Sequence, residues 1–187
     1  MEKYKSLIVE KSDKNFKKKI SKTKLTEIKK NEVLINIQYS SINYKDYLIC
    51  NGEFWDCRKY PLVPGIDASG KIVKSKSKKF KKGDLVSIVA TPAGSKISGG
   101  FAEYIKIHEI WVDKLPNNIS PKKAMILGTA GFSAMHIVNK ILKKKVGNYK
   151  RVAISGSSGG VGTILINTLS KLGFEITAYS SSKKNYK

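Results

Sequence analysis

The chain has 187 residues, 41% of them hydrophobic, enough to bury a core as one domain or two small ones. Its formal net charge is +22, with 36 Lys+Arg against 14 Asp+Glu, a balance that raises nucleic acid as a partner. Arginine stands only at Arg58 and Arg151, and the lysines are scattered, as in Lys17 to Lys19, Lys74 to Lys82 and Lys143 to Lys145. With no basic run interleaved with stacking aromatics, the composition favours solvated lysine faces over a nucleic-acid surface. The positive potential still steers anions such as phosphorylated cofactors.

The first hundred or so residues read as β-rich. "YKSLIVEK" is a short strand, and "EVLINIQYSSIN" alternates apolar and polar residues as a half-buried strand does. "ASGKIVKSKSKKFKKGDLVSIVA" reads as strand, basic turn at Lys82-Gly83-Asp84, then strand. "GGFAEYIKIHEIWVDKLP" adds another and closes at Pro116. Short strands at this spacing predict a compact barrel-like unit. Cys50 and Cys57 fit neither a zinc signature nor a secreted disulfide framework, and predict a reduced pair in the cytoplasm. The N-terminus has no long apolar core, so no signal peptide is expected, and no apolar run approaches the length that spans a bilayer.

The texture changes near Ser120, a candidate N-cap with Pro121 at the first helical position. Helical spacing follows, with Gly128 and Gly131 expected to interrupt or join two helices and Gly147 to end the second. An apolar strand (Val152 to Ile154), a glycine turn, an amphipathic helix stopped by Gly173, and a second strand (Phe174 to Tyr179) complete the pattern. Strand, helix, strand is the unit that builds parallel sheets, so the fold class is α/β.

The turn "GSSGGVG" sets Gly156, Gly159, Gly160 and Gly162 between strand and helix. A dinucleotide pyrophosphate needs a tight turn, close backbone approach and a free helix N-terminus. Gly156, Ser158, Gly159, Gly160, Val161, Gly162 and Thr163 are therefore candidate cofactor contacts. An NAD site wants an acid at the end of the second strand, whereas an NADP site avoids it and supplies cations. Here that strand ends in Ser180, Ser181, Ser182, Lys183 and Lys184, and Glu175 lies at its beginning. Two readings remain: a site for a 2′-phosphate, favouring NADP(H), or an ordinary polar loop of a lysine-rich protein.

Five segments occur in the order found in medium-chain dehydrogenase/reductases of the quinone-oxidoreductase type: "SSINYKDYLICNG", "YPLVPGIDASGKIV", "GGFAEYIKI", "KKAMILGTAGFSAMHIV" and "ISGSSGGVG". The chain resembles that family over nearly its whole length, and looks like its acrylyl-CoA reductase subgroup. The resemblance implies a GroES-like barrel over residues 1–121, an incomplete Rossmann unit over 122–187, and NADPH in the cleft. It implies reduction of the carbon–carbon double bond of an enone, a quinone or an acyl-CoA. Gly65-Ile66-Asp67 stands where zinc alcohol dehydrogenases carry Gly-His-Glu, and the cysteines of a structural zinc lobe are missing. Isoleucine cannot ligate a metal, and with only His108 and His136 available no metal is expected.

The same resemblance sets Asn43, Tyr44 and Lys45 beside the nicotinamide, with Tyr47 lining the same surface and Thr129 hydrogen-bonding nearby. Tyr44 either donates to the developing enolate or packs against the cofactor while solvent supplies the proton; Asn43 fixes orientation and Asp67 buttresses its loop. A complete dinucleotide domain has about six parallel strands, and two are legible here, so a truncated member is expected, paired as a homo-oligomer or with a complementing chain. The alternative is an inactive remnant, or a basic protein that binds anions or nucleic acid.

Overall fold

The computed structural model describes residues 3–13, 15–57, 59–144 and 150–181. They form two compact units, residues 1–128 and 129–187.

In the first unit, β1 (Lys3–Ser12) and β2 (Asn15–Lys24) pair antiparallel from Lys3↔Lys24 to Ser12↔Asn15. Asp13 takes the left-handed conformation (φ 51°) that acid side chains tolerate in tight turns. The strands β3 (Glu32–Tyr39), β4 (Ala68–Ser75), β5 (Leu85–Ile88), β6 (Tyr104–His108) and β7 (Asp113–Lys114) form one antiparallel sheet ordered β6-β3-β4-β5-β7. Period-two alternation sends Val33, Ile35, Ile72, Val86, Ile88, Ile105 and Ile107 to a shared core. Bridges Ser6↔Ala102 and Val9↔Leu62 tie β1 to the loops flanking the sheet. The turn before β5 forms as its residues predict: Gly83 has φ 99°, and Asp84 accepts a 2.9 Å hydrogen bond from the Lys81 amide.

Sequence periodicity missed β2. Its residues NFKKKISKTK face solvent along most of their length, so no hydrophobic alternation marks it. Lysines at 17, 18, 19, 22 and 24 line this strand, and Ile20 is 76% exposed between them.

The short helix α1 (Tyr44–Cys50) follows β3, with Asn43 as N-cap. The helix α2 (Pro121–Lys143) opens as expected, the Lys123 amide donating to Ser120 Oγ at 3.3 Å. It breaks at Gly128 (φ 48°, ψ −150°), whereas Gly131 is helical. The division between the units thus falls inside the helix rather than at its start. The expected stop at Gly147 lies outside the described residues.

By length and composition α2 would cross a bilayer, against the expectation that no apolar run does. The break at Gly128 changes that: residues 129–143 extend about 22 Å at 1.5 Å per residue, short of a hydrocarbon core of ~30 Å.

In the second unit, β8 (Arg151–Ser155) and β9 (Glu175–Tyr179) run parallel in register, linked by α3 (Gly160–Lys171). Gly173 (φ 80°) ends α3 as its position predicts. Ala134, Val138, Ile154, Leu165 and Leu169 form the core. Among the described residues β9 is the only neighbour of β8. A groove of about 470 Å³ runs past β8, lined by Ile137, Ile141, Val152, Val161 and Leu165 among others.

Candidate functional site

Two clusters carry the predicted site residues, one in each unit. In the second unit the chain leaves β8 at Ser155 and turns through Gly156, whose φ of 64° an L side chain rarely adopts. Ser157 then donates twice to the Tyr179 carbonyl, through its amide (3.1 Å) and its hydroxyl (2.9 Å). These bonds fasten the turn to the C-terminal end of β9. The Gly159 amide closes the loop on the Gly156 carbonyl at 3.0 Å, and the Thr163 amide returns to the Gly159 carbonyl at 2.9 Å. Thr163 Oγ1 adds a long 3.5 Å contact to the Ser157 carbonyl.

Three of the motif's four glycines meet different needs. A Cβ on Gly162 would overlap the Gly156 carbonyl and lie 2.8 Å from Ser157 Cα, so helix and turn touch backbone to backbone. At Gly156 a Cβ would meet nothing within 4 Å, so that side of the turn is open. Gly159 is the N-cap of α3 and has no side chain to satisfy the first amides of the helix. No acidic residue stands in the first turn. An open backbone turn leading into an uncapped twelve-residue helix has the donors and positive end of dipole that a pyrophosphate requires. The residues present therefore fit a dinucleotide.

Beside the turn, Ser158 Oγ lies 3.3 Å from Ser180 Oγ, so two predicted contacts meet at the ends of β8 and β9. Gly160 and Val161 open α3, and Ser181 follows Ser180. Glu175 sits at the opposite end, in register with Arg151 and bonded to its Nε at 2.7 Å. That carboxylate is therefore remote from the strand end where a ribose would be read. Ser182, Lys183 and Lys184 lie outside the described residues. Thr129 begins the part of α2 that belongs to this unit.

In the first unit, α1 gathers Asn43, Tyr44, Lys45 and Tyr47. Tyr44 and Tyr47 are three residues apart on one helix face, and their rings stack at 5.9 Å with 14° between planes. Both are exposed, Tyr44 by 73%. Lys45 Nζ lies 4.6 Å from the Phe54 ring centre, a cation–π contact that turns the ammonium onto an aromatic face.

Asp46 was not a predicted site residue, yet it organises this cluster. It is 1% exposed, and its Oδ1 accepts the amides of Ile66 (2.9 Å) and Gly65 (3.2 Å) while Oδ2 accepts that of Asn43 (2.9 Å). Burial pushes its carboxyl above the ordinary range, and hydrogen bonds from Asn43 and Ile66 oppose that shift. The Asn-x-x-Asp spacing at 43–46 is a capping pattern readable from sequence; its reach to Gly65 and Ile66 is not. Asp67, fully buried, accepts Asn43 Nδ2 on Oδ2 at 2.9 Å.

Among the described residues no three His, Cys, Asp or Glu side chains gather as a metal-ligand set. His108 Nδ1 accepts the Ile110 amide at 3.3 Å and caps the turn of 3-10 helix at Glu109–Trp111. His136 lies exposed on α2. Cys50 and Cys57 are free thiols, and burial lifts that of Cys50, with the Asp46 charge adding to the effect.

Comparison with known proteins agrees with this architecture. Residues 29–117 match the alcohol dehydrogenase GroES-like domain. The putative quinone oxidoreductase YhfP of Bacillus subtilis is 37% identical over 84% of this chain and 48% of its own. The crystal structure of that protein with NAD bound matches with a TM-score of 0.90 at 34% identity, covering 98% of this chain and 56% of that one. The acrylyl-CoA reductase AcuI of Ruegeria pomeroyi is 32% identical over 94% of this chain and 54% of its own. The yhdH oxidoreductase of Salmonella enterica, in complex with NADP, gives a TM-score of 0.91 at 31% identity, over 96% of this chain and 56% of that one. The chain spans about half the length of the relatives it matches. On motif order, fold and identity together, it belongs to the medium-chain dehydrogenase/reductase family, in the quinone-oxidoreductase branch.

Proposed function

We propose that this chain carries the cofactor turn and the enone-facing helix of an NADPH-dependent, zinc-free reductase acting on the carbon–carbon double bond of acrylyl-CoA or a quinone. The observation that carries the reading is the glycine turn, open at Gly156 and running into an uncapped helix. Named relatives that reduce acrylyl-CoA or quinones support the substrate class.

When bound, NADPH supplies the hydride for the β-carbon of the unsaturated carbonyl. The chain's own residues do the rest. Backbone amides at the start of α3 hold the pyrophosphate, and Ser158 with Ser180 offers hydroxyls to the adenosine ribose and its 2′-phosphate. Preference for NADPH follows from the absence of an acid at the end of β9 and the engagement of Glu175 with Arg151 at the other. Tyr44 presents a phenol on an exposed helix face, placed to donate to a developing enolate. Asn43, the N-cap of that helix, orients the carbonyl. The residue at 66 is isoleucine, so no metal ligand stands there and carbonyl polarisation falls to hydrogen bonds.

Measured affinities for NADPH and NADH, with oxidation of each by acrylyl-CoA and by a benzoquinone, test this. The chain should bind NADPH at least about tenfold more tightly, a difference of about 1.4 kcal/mol. Ser180→Asp should reverse the preference by supplying a 2′-hydroxyl acceptor and repelling the phosphate. Failure of the chain to bind either nucleotide sinks the reading.

A further inference from the structure

The loop 64–67 and the helix N-cap at Asn43 are joined by two buried carboxylates with different duties. Asp46 holds the loop: its Oδ1 takes the Gly65 and Ile66 amides. Asp67 spends a carboxylate oxygen on a side chain, Asn43 Nδ2, at 2.9 Å. Asp46 thus shares the bracing of this loop. A third segment closes on the same oxygen. A Cβ at Gly128 would lie 2.5 Å from Asp67 Oδ2 and 2.5 Å from Ser41 Oγ, so the backbone of the α2 break packs against the carboxylate and limits its swing.

An asparagine amide has two chemically different ends, and rotation by a half-turn exchanges them. A carboxylate accepts but does not donate, so it selects the nitrogen end. Asn43 is also fixed at its backbone, whose amide donates to Asp46 Oδ2 at 2.9 Å. Burying carboxylates is costly unless their hydrogen bonds are made.

We propose that Asp67 is a positioning residue: by capturing Nδ2 of Asn43 between the α2 break and the α1 N-cap, it sets one orientation of the amide that faces the enone. The inference rests on the reductase reading for its kinetic consequence, but the orientation itself is measurable without turnover.

In the full ¹⁵N-labelled chain, the Asn43 side-chain NH₂ resonances, assigned by their loss in Asn43→Ala, should be shifted from free-amide positions and exchange slowly with solvent. Asp67→Asn keeps the shape of the side chain but offers oxygen or nitrogen alike. It should return those resonances toward free-amide positions and speed their exchange. Gly128→Ala leaves the carboxylate present but displaces it, and should move the same two resonances if Asp67→Asn does not fold. Resonances unchanged in both variants overturn the proposal.

With NADPH and acrylyl-CoA, Asp67→Asn should lower kcat/KM on the order of tenfold while NADPH affinity stays constant. The same change in an Asn43→Ala background should cost nothing further. Additive losses would assign Asp67 to general stability and overturn the positioning role. If the unmodified chain oxidises no NADPH, the reductase reading fails, and the resonances alone still decide whether Asp67 orients Asn43.

Discussion

Gly159 and Gly162 stand three residues apart in one motif and tolerate different things. Gly159 has φ −80° and ψ 167°, ordinary extended backbone, and a Cβ there would meet only the Gly156 carbonyl at 3.3 Å. Aspartate is a favoured N-cap at such a position. Gly159→Asp should therefore change thermal stability by no more than about a few tenths of a kcal/mol, while abolishing NADPH binding by setting a carboxylate where the pyrophosphate belongs. Loss of both together would mean the turn is merely structural. At Gly162 the order reverses: a Cβ overlaps backbone that cannot yield. Gly162→Ala should cost about 2 kcal/mol or more, seen as a lower denaturation midpoint with or without nucleotide. The turn was legible because its chemistry is local, glycines between an apolar strand and a helix. The bond from Asn43 to Asp67 spans 24 residues, and no local pattern announces a partner that distant. Ser158 and Ser180 were each readable, but their meeting requires the parallel register of β8 and β9.

Among the elements, those that bury one face were readable and those that do not were missed. The alternation in β3 and β4 marks their core side, whereas β2 buries almost nothing and carries no such mark. The two-residue β7 is too short for periodicity to reveal, and it is held by an ion pair instead. Lys114 Nζ lies 2.9 Å from Asp84 Oδ1, joining β7 to the turn that precedes β5. The Lys81 amide, and then Lys114, hold the Asp84 carboxyl below the ordinary carboxylate range. A depressed folded-state value gives stability that is present above the unfolded-chain value and lost as pH falls through the folded one. Asp84→Asn should cost about 1–2 kcal/mol at neutral pH. The two stability curves should converge in acid, below the depressed value. A difference that persists there would assign the loss to packing. Asp46 leans the other way: burial raises its carboxyl, so its ionisation works against the folded state as pH rises through that raised value.

Taken as a molecule, the chain joins units of unequal self-sufficiency. The barrel unit closes β3 and β4 between neighbours on both sides, while β8 in the second unit has one described neighbour and an apolar groove beside it. Hydrogen exchange should rank them in that order, with β8 and β9 amides exchanging faster than those of β3 and β4. Nucleotide at about a hundred times its Kd should add up to about 2.7 kcal/mol of protection, concentrated at residues 156–163. Equal protection in both units, or slowing that bypasses the glycine turn, would contradict the assignment. The break in α2 falls at Gly128, one of the two glycines whose position predicts an interruption, and it divides an apolar stretch over 121–143 that composition alone reads as one long helix.

The lysines of β2 guard more than an expected charge balance. A strand with an open edge is a template for another strand; among the described residues β2 pairs only with β1, and Ile20 gives it an apolar side chain to offer. Repulsion among amines at 17, 18, 22 and 24 disfavours the stacking of copies along it, while Lys19 is paired with Glu10 at 2.8 Å. That protection is chemically erasable. Thioesters acylate amines, and each acylation removes one positive charge from the edge. On the proposed acyl-thioester substrate, acylation of these amines would thus lower the charge that separates copies of the chain at β2.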